Sequence, residues 1–228
     1  MFNPNTEELF NIFIRAIVLV TAMPIHECAH GWVANKLGDP TAKNLGRLTL
    51  NPLPHLDPLG SLLILLAGVG WARPVPVNTR YFKNVKRDMA LTAIAGPVSN
   101  ILMALVLMTG FKIYILATGG MEVFVGALFL GDPTAKFLFS LLLTMISVNV
   151  GLAVFNLLPI PPLDGSRLLT ALLPPKLYYG IMRYERVFMG VLMAALIFGV
   201  LSLPLGWAQN GLLWVLDNIT GFLGKFYF

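Results

Sequence analysis

The chain has 228 residues, 57% of them hydrophobic and 12% charged, with a formal net charge of +5. Soluble globular domains carry about 25% charged residues, so half that share excludes an ordinary water-soluble fold, and a disordered chain would be polar and charge-rich. A single cysteine excludes an intrachain disulfide.

An integral membrane protein remains, and the length suits one membrane-embedded domain over residues 1–228. A spanning helix needs ~20 mostly apolar residues to cross ~30 Å of hydrocarbon. Residues 9–33 form the first such run. Glu7 and Glu8 precede it with no basic segment, so it reads as a retained helix and not a signal peptide. In the connection that follows, residues 47–51 and 73–78 read as short extended pieces, where Pro74 and Pro76 permit only an edge strand. Between them, residues 59–69 are apolar but too short to span, which suggests a re-entrant or interfacial segment. Residues 91–117, 137–158 and 187–203 supply three further spans. Residues 207–222 are weaker, because Gln209, Asn210, Asp217 and Asn218 share one helix face. That run either spans or lies in the interface as an amphipathic helix. The expected fold is an all-α polytopic membrane protein with about four to five transmembrane helices and a short membrane-associated β element between the first two.

Of the 16 Lys and Arg residues, eight lie between Lys36 and Arg87 and four between Arg167 and Arg186. Basic connections stay cytoplasmic, which places the N-terminus and the connection bearing Glu122 and Asp132 outside. The expected location is the plasma membrane of a prokaryote. The positive balance flanks spans, so the lipid bilayer, and no nucleic acid, is the partner it implies.

Two of the three histidines are His26 and His30, with Glu27 between them. On a helix, positions four apart differ by only ~40°, so both imidazoles leave one face, and Glu27 flanks it at ~60° from His30. Two neutral imidazoles and an adjacent carboxylate are what a zinc hydrolase needs, the carboxylate taking a proton from the attacking water. A polar packing seam is the alternative use of these residues. It is less comfortable inside a span, where each ionisable group costs several kcal/mol unless it has a partner or a task.

A catalytic zinc takes three protein ligands, so a third Asp, Glu, His or Cys must reach the same depth. Cys28 lies ~200° from His26 around the helix and faces away. His55 and Asp57 sit in a Pro-rich connection. Asp164 fits better, because it ends the run NLLPIPPLDG, directly after the third span. Its prolines break the helix, and non-helical backbone at that depth must be enclosed by protein or line a wet cavity. Gly165 would permit a sharp turn there. Capping of the helix that follows is the other use open to Asp164.

The pairing of HECAH, residues 26–30, with NLLPIPPLDG, residues 156–165, resembles the site-2 protease family of intramembrane zinc metalloproteases, peptidase M50-like. AGPVSN at residues 95–100 resembles that family's GPxxN element. The length leaves no room for the PDZ or CBS domains of many members, so the resemblance is to a minimal form. It implies that His26, His30 and Asp164 bind one catalytic Zn2+, that Glu27 is the base, and that Asn156 helps bind substrate or oxyanion. Asn149 lies ~20° from Asn156 on the same helix face, with interhelical hydrogen bonding as its alternative use.

The expected activity is hydrolysis of a peptide bond within, or near the cytosolic end of, a transmembrane segment of a membrane-protein substrate, as in regulated intramembrane proteolysis. A membrane metal-ion transporter and an inactive protease-like scaffold are the competing readings. Transporters are often built from inverted repeats, and no internal repeat is visible here.

Overall fold

The computed structural model describes residues 4–67 and 70–226. In chain order its helices are α1 (Pro4–Lys36), α2 (Thr41–Asn44), α3 (Pro58–Ala67), α4 (Val85–Ala117), α5 (Met121–Phe129), α6 (Pro133–Asn156), α7 (Asp164–Leu172), α8 (Pro175–Met182), α9 (Glu185–Ile197) and α10 (Ser202–Ile219). Short 3-10 turns occur at Leu53–His55, Thr79–Tyr81 and Gly221–Phe226.

Among the described residues three helices are long and apolar enough to cross a membrane, Glu8–Lys36, Val85–Ala117 and Pro133–Asn156. They carry apolar residues on every side, as lipid-facing helices must. α4 buries Ala93, Gly96, Asn100 and Ala104 while Leu102, Val106 and Ile113 remain exposed. It is the hub, packing against α1, α6 and α7. Side chains set the starts of α4 and α6: Asn84 accepts from the Arg87 N–H, and Asp132 accepts from the N–H groups of Thr134 and Ala135 behind Pro133.

The expected run 187–203 is not one helix. α9 ends at Ile197, Gly199 turns the chain with φ +70°, and α10 leaves at 84° to α9. A residue with a Cβ resists that left-handed conformation, so glycine there fixes the break. The pair adds a fourth span only if it counts as one broken crossing, against the four to five expected. In the 207–222 segment, Leu216 is buried and Leu212 and Leu213 pack with Ala104, Ile146 and Val150 of α4 and α6. The polar face is tied down by an ion pair between Asp217 and Lys112.

The expected β element is absent: there is no strand among the described residues. The 73–78 segment is extended, but side chains hold it where a strand partner would. The Arg47 guanidinium donates to the carbonyls of Arg73 (2.8 Å) and Pro74 (3.3 Å). Asp39 accepts from the Asn78 N–H at 2.7 Å, and the Arg73 N–H donates to the His55 carbonyl at 2.8 Å. Two prolines without N–H groups leave too few donors for a ladder.

α3 occupies most of the expected apolar run 59–69; residues 68 and 69 lie outside the described residues. Its last carbonyls, Leu65 and Leu66, accept from Arg15 of α1 at 3.1 Å each. The chain then returns beside its own entry, so close that a Cβ on Gly60 would lie 2.1 Å from the Trp71 carbonyl oxygen.

Candidate metal centre

His26 and His30, one turn apart on α1, point to where α1, α4 and the start of α7 meet, and are only 8% and 7% exposed. Asp164 is the first residue of α7. Its Oδ2 lies 3.1 Å from His26 Nε2 and 3.1 Å from His30 Nε2, and the two Nε2 atoms are themselves 3.1 Å apart. Among the described residues this is the group of His, Cys, Asp or Glu side chains whose ligand atoms converge. The helix that Asp164 begins has no side-chain cap, so its carboxylate is turned to the imidazoles and not to the N–H groups of α7.

The other ring nitrogens are engaged. His30 Nδ1 lies 2.7 Å from the Thr92 carbonyl, which can only accept, so Nδ1 carries the proton. His26 Nδ1 likewise donates to Oδ1 of Asn100. With Nδ1 of both rings donating, neutral imidazoles turn their Nε2 lone pairs toward the carboxylate oxygen, a donor set suited to a cation. The 3.1 Å edges are close to the ~3.3 Å separating ligands ~2.0 Å from a tetrahedral ion. The donor set therefore fits a small divalent ion.

Gly96 of α4 closes this triangle. A Cβ there would stand 2.3 Å from His30 Nε2 and 2.6 Å from His26 Nε2, so any other residue collides with the ligand atoms. Gly165 also acts by close approach. Its φ is not positive, contrary to the sharp turn expected of it, but a Cβ would lie 2.3 Å and 2.4 Å from the carbonyl oxygens of Leu157 and Leu158. The proline run thus folds tightly back onto the start of α7, bringing Asp164 to α1.

Glu27 flanks the cluster, and its Oε2 accepts from the Val75 N–H at 2.8 Å. The segment pinned by Arg47 and Asp39 thereby also holds this carboxylate. Asn156 ends α6 with its amide donating to the Leu152 carbonyl at 3.0 Å, within its own helix. Asn149 faces α4, where its Oδ1 accepts from Asn100 at 2.9 Å, which is the interhelical use. Cys28 takes no part in the cluster. His55 is buried and donates to the Thr49 carbonyl, while Asp57 accepts from the Gly60 N–H at the start of α3; both serve the connection.

Thr92 and Val75 act through backbone atoms and carry no sequence signal. Gly96 and Asn100 did carry one, since both stand in the GPxxN element.

Peptidase family M50 matches the chain over residues 14–202. YwhC of Bacillus subtilis (strain 168), which carries a provisional zinc-metalloprotease name, is 48% identical over 160 residues, covering 70% of this chain and 68% of the relative. Rip2 of Mycolicibacterium smegmatis, similarly named, is 29% identical over 175 residues, covering 72% of this chain and 61% of the relative. Rip2 of Mycobacterium tuberculosis (strain H37Rv) is 25% identical over 213 residues, covering 90% and 74%. No solved structure matches the chain.

Proposed function

The chain belongs to peptidase family M50 and is a membrane metalloprotease, and from that premise we propose that His26, His30 and Asp164 hold one catalytic zinc ion and that Glu27 is the base in hydrolysis of a peptide bond within or near the cytosolic end of a substrate's transmembrane segment. The supporting observation is the convergence of two Nε2 atoms and one carboxylate oxygen at mutual distances of 3.1 Å. The zinc-metalloprotease names of the relatives point to the same ion.

A bound zinc ion supplies Lewis acidity toward the scissile carbonyl and makes water a nucleophile near neutral pH. Glu27 takes the proton from the attacking water and delivers it to the leaving amine. The Val75 N–H holds one carboxylate oxygen of Glu27 and leaves the other for that transfer. A substrate helix satisfies its own backbone groups, so it must unwind before a carbonyl reaches the site. Asn156, at the end of α6, helps bind substrate or the oxyanion. The enzyme lies in a prokaryotic plasma membrane with its Lys- and Arg-rich connections in the cytoplasm, where it cuts membrane proteins in regulated intramembrane proteolysis.

Glu27→Gln tests this reading in proteoliposomes with a reporter transmembrane substrate. Zinc content should match the unsubstituted protein while cleavage disappears. Retained cleavage would remove Glu27 as base, and metal flux without peptide products would overturn the protease reading.

A further inference from the structure

We propose that Asn149 and Asn100 form a one-way hydrogen-bond relay, anchored on the backbone carbonyl of Met145, that fixes His26 in the tautomer presenting its Nε2 lone pair to the metal. The inference rests on the metal reading above and adds two positioning residues to it.

The relay crosses three helices. Asn149 Nδ2 on α6 donates to the Met145 carbonyl at 2.8 Å. Asn100 Nδ2 on α4 donates to Asn149 Oδ1 at 2.9 Å. Asn100 Oδ1 then meets His26 Nδ1 on α1. Both amides are fully enclosed, Asn100 at 0% and Asn149 at 1% exposure, so water cannot substitute for a missing partner.

The direction of the relay follows from its far end. A primary amide has a donor end and an acceptor end, and either can face a neighbour. A backbone carbonyl can only accept, so Met145 turns the Nδ2 of Asn149 toward itself and the Oδ1 toward α4. That oxygen demands the Nδ2 of Asn100, leaving only Oδ1 for His26. Facing a pure acceptor, His26 must carry a proton on Nδ1, and in the neutral imidazole Nε2 is then bare. Were Asn100 inverted, its NH2 would face Nδ1, the imidazole proton would move to Nε2, and the ligand position would be blocked.

His30 needs no such device, because the Thr92 carbonyl fixes its tautomer directly. His26 has a side-chain amide in that place, and an amide alone does not specify direction. Asn149 removes the ambiguity from a distance, without touching the metal ligands.

The test uses the purified full chain, with zinc affinity read by chelator competition and the ring-nitrogen shifts of the three histidines read by 15N NMR in the metal-free protein. In the unsubstituted protein His26 should be protonated on Nδ1; a bare Nδ1 with the proton on Nε2 overturns the proposal without any variant. Asn149→Leu frees the Asn100 amide to invert and should weaken zinc binding about 10- to 100-fold, with the His26 proton shifting toward Nε2. Adding Asn100→Asp restores a group that accepts from Nδ1, and affinity should return to within a few-fold of the starting value. Unchanged affinity in Asn149→Leu, or no rescue by Asn100→Asp, overturns the relay and leaves Asn149 a packing residue. An unsubstituted protein that binds no zinc would instead overturn the metal reading itself.

Discussion

The carboxylate of Glu27 accepts the Val75 N–H at 2.8 Å, joining a helical residue beside the paired histidines to a segment 48 positions away. One carboxylate oxygen is thereby fixed, and its partner is a backbone group that side-chain truncation does not remove. Val75→Pro deletes that donor alone. A hydrogen bond to a charged group contributes about 1.5–3 kcal/mol, so cleavage should fall roughly 10- to 100-fold at unchanged zinc content. Val75→Ala keeps the N–H and should stay within a few-fold of the original rate. Equal activity in the two variants, measured on the reporter substrate, would show that Glu27 does not need this contact.

Gly96→Ala is expected to abolish stoichiometric zinc binding. The added methyl would stand 2.3 Å from His30 Nε2 and 2.6 Å from His26 Nε2, so the rings must leave their common focus or α4 must withdraw from α1. Retreat of α4 would also disturb its packing on α6 and α7, and thermal unfolding should move down by the roughly 1–3 kcal/mol typical of overpacking. Metal analysis beside a melting curve checks both effects, and full zinc occupancy would contradict the close approach.

What the sequence made legible was periodic or chemically marked. His26 and His30 share a face because helical spacing requires it, and the proline run ending at Asp164 announces non-helical backbone carrying an acid. What was not legible depends on contacts between distant backbone atoms. The 73–78 segment has the alternation of a strand, yet Arg47, Asp39 and Glu27 take the places of a pairing strand. No local pattern shows that these side chains will arrive from elsewhere. Gly199 was visible as a residue but not as a break, because the surrounding apolar run reads the same through an 84° bend as through a straight span. Thr92 contributes only a carbonyl, which every residue possesses.

Arg47 also holds the extended segment, and its removal should loosen that segment without emptying the metal site. Arg47→Met keeps the aliphatic stem and deletes the bonds to the Arg73 and Pro74 carbonyls. Arg47 Nε is itself buried without a partner, so losing the guanidinium also relieves an unsatisfied donor. The net cost should be about 1 kcal/mol, below the ~1.5–3 kcal/mol of a charged hydrogen bond because that donor is relieved. Limited proteolysis should gain cleavage within residues 70–78, with zinc content unchanged. Loss of zinc would mean that the segment supports the histidines as well as Glu27.

The proposed ligand set also joins α1 to α7 across 134 positions of sequence between His30 and Asp164, so a bound ion should act as a staple between them. A ligand that binds only the folded state stabilises it by about 2.7 kcal/mol at one hundred times its dissociation constant. Zinc added to metal-stripped protein should therefore raise the unfolding temperature, and a chelator should reverse the rise. Asp164→Ala removes the only one of these ligands on α7, leaving two imidazoles on a single helix turn. Any ion still bound there no longer links separate elements, and the zinc-dependent rise should largely vanish along with stoichiometric binding. A variant that keeps both the rise and full zinc content would show that another residue supplies the third ligand, and that the carboxylate meets the imidazoles only as a hydrogen-bond acceptor.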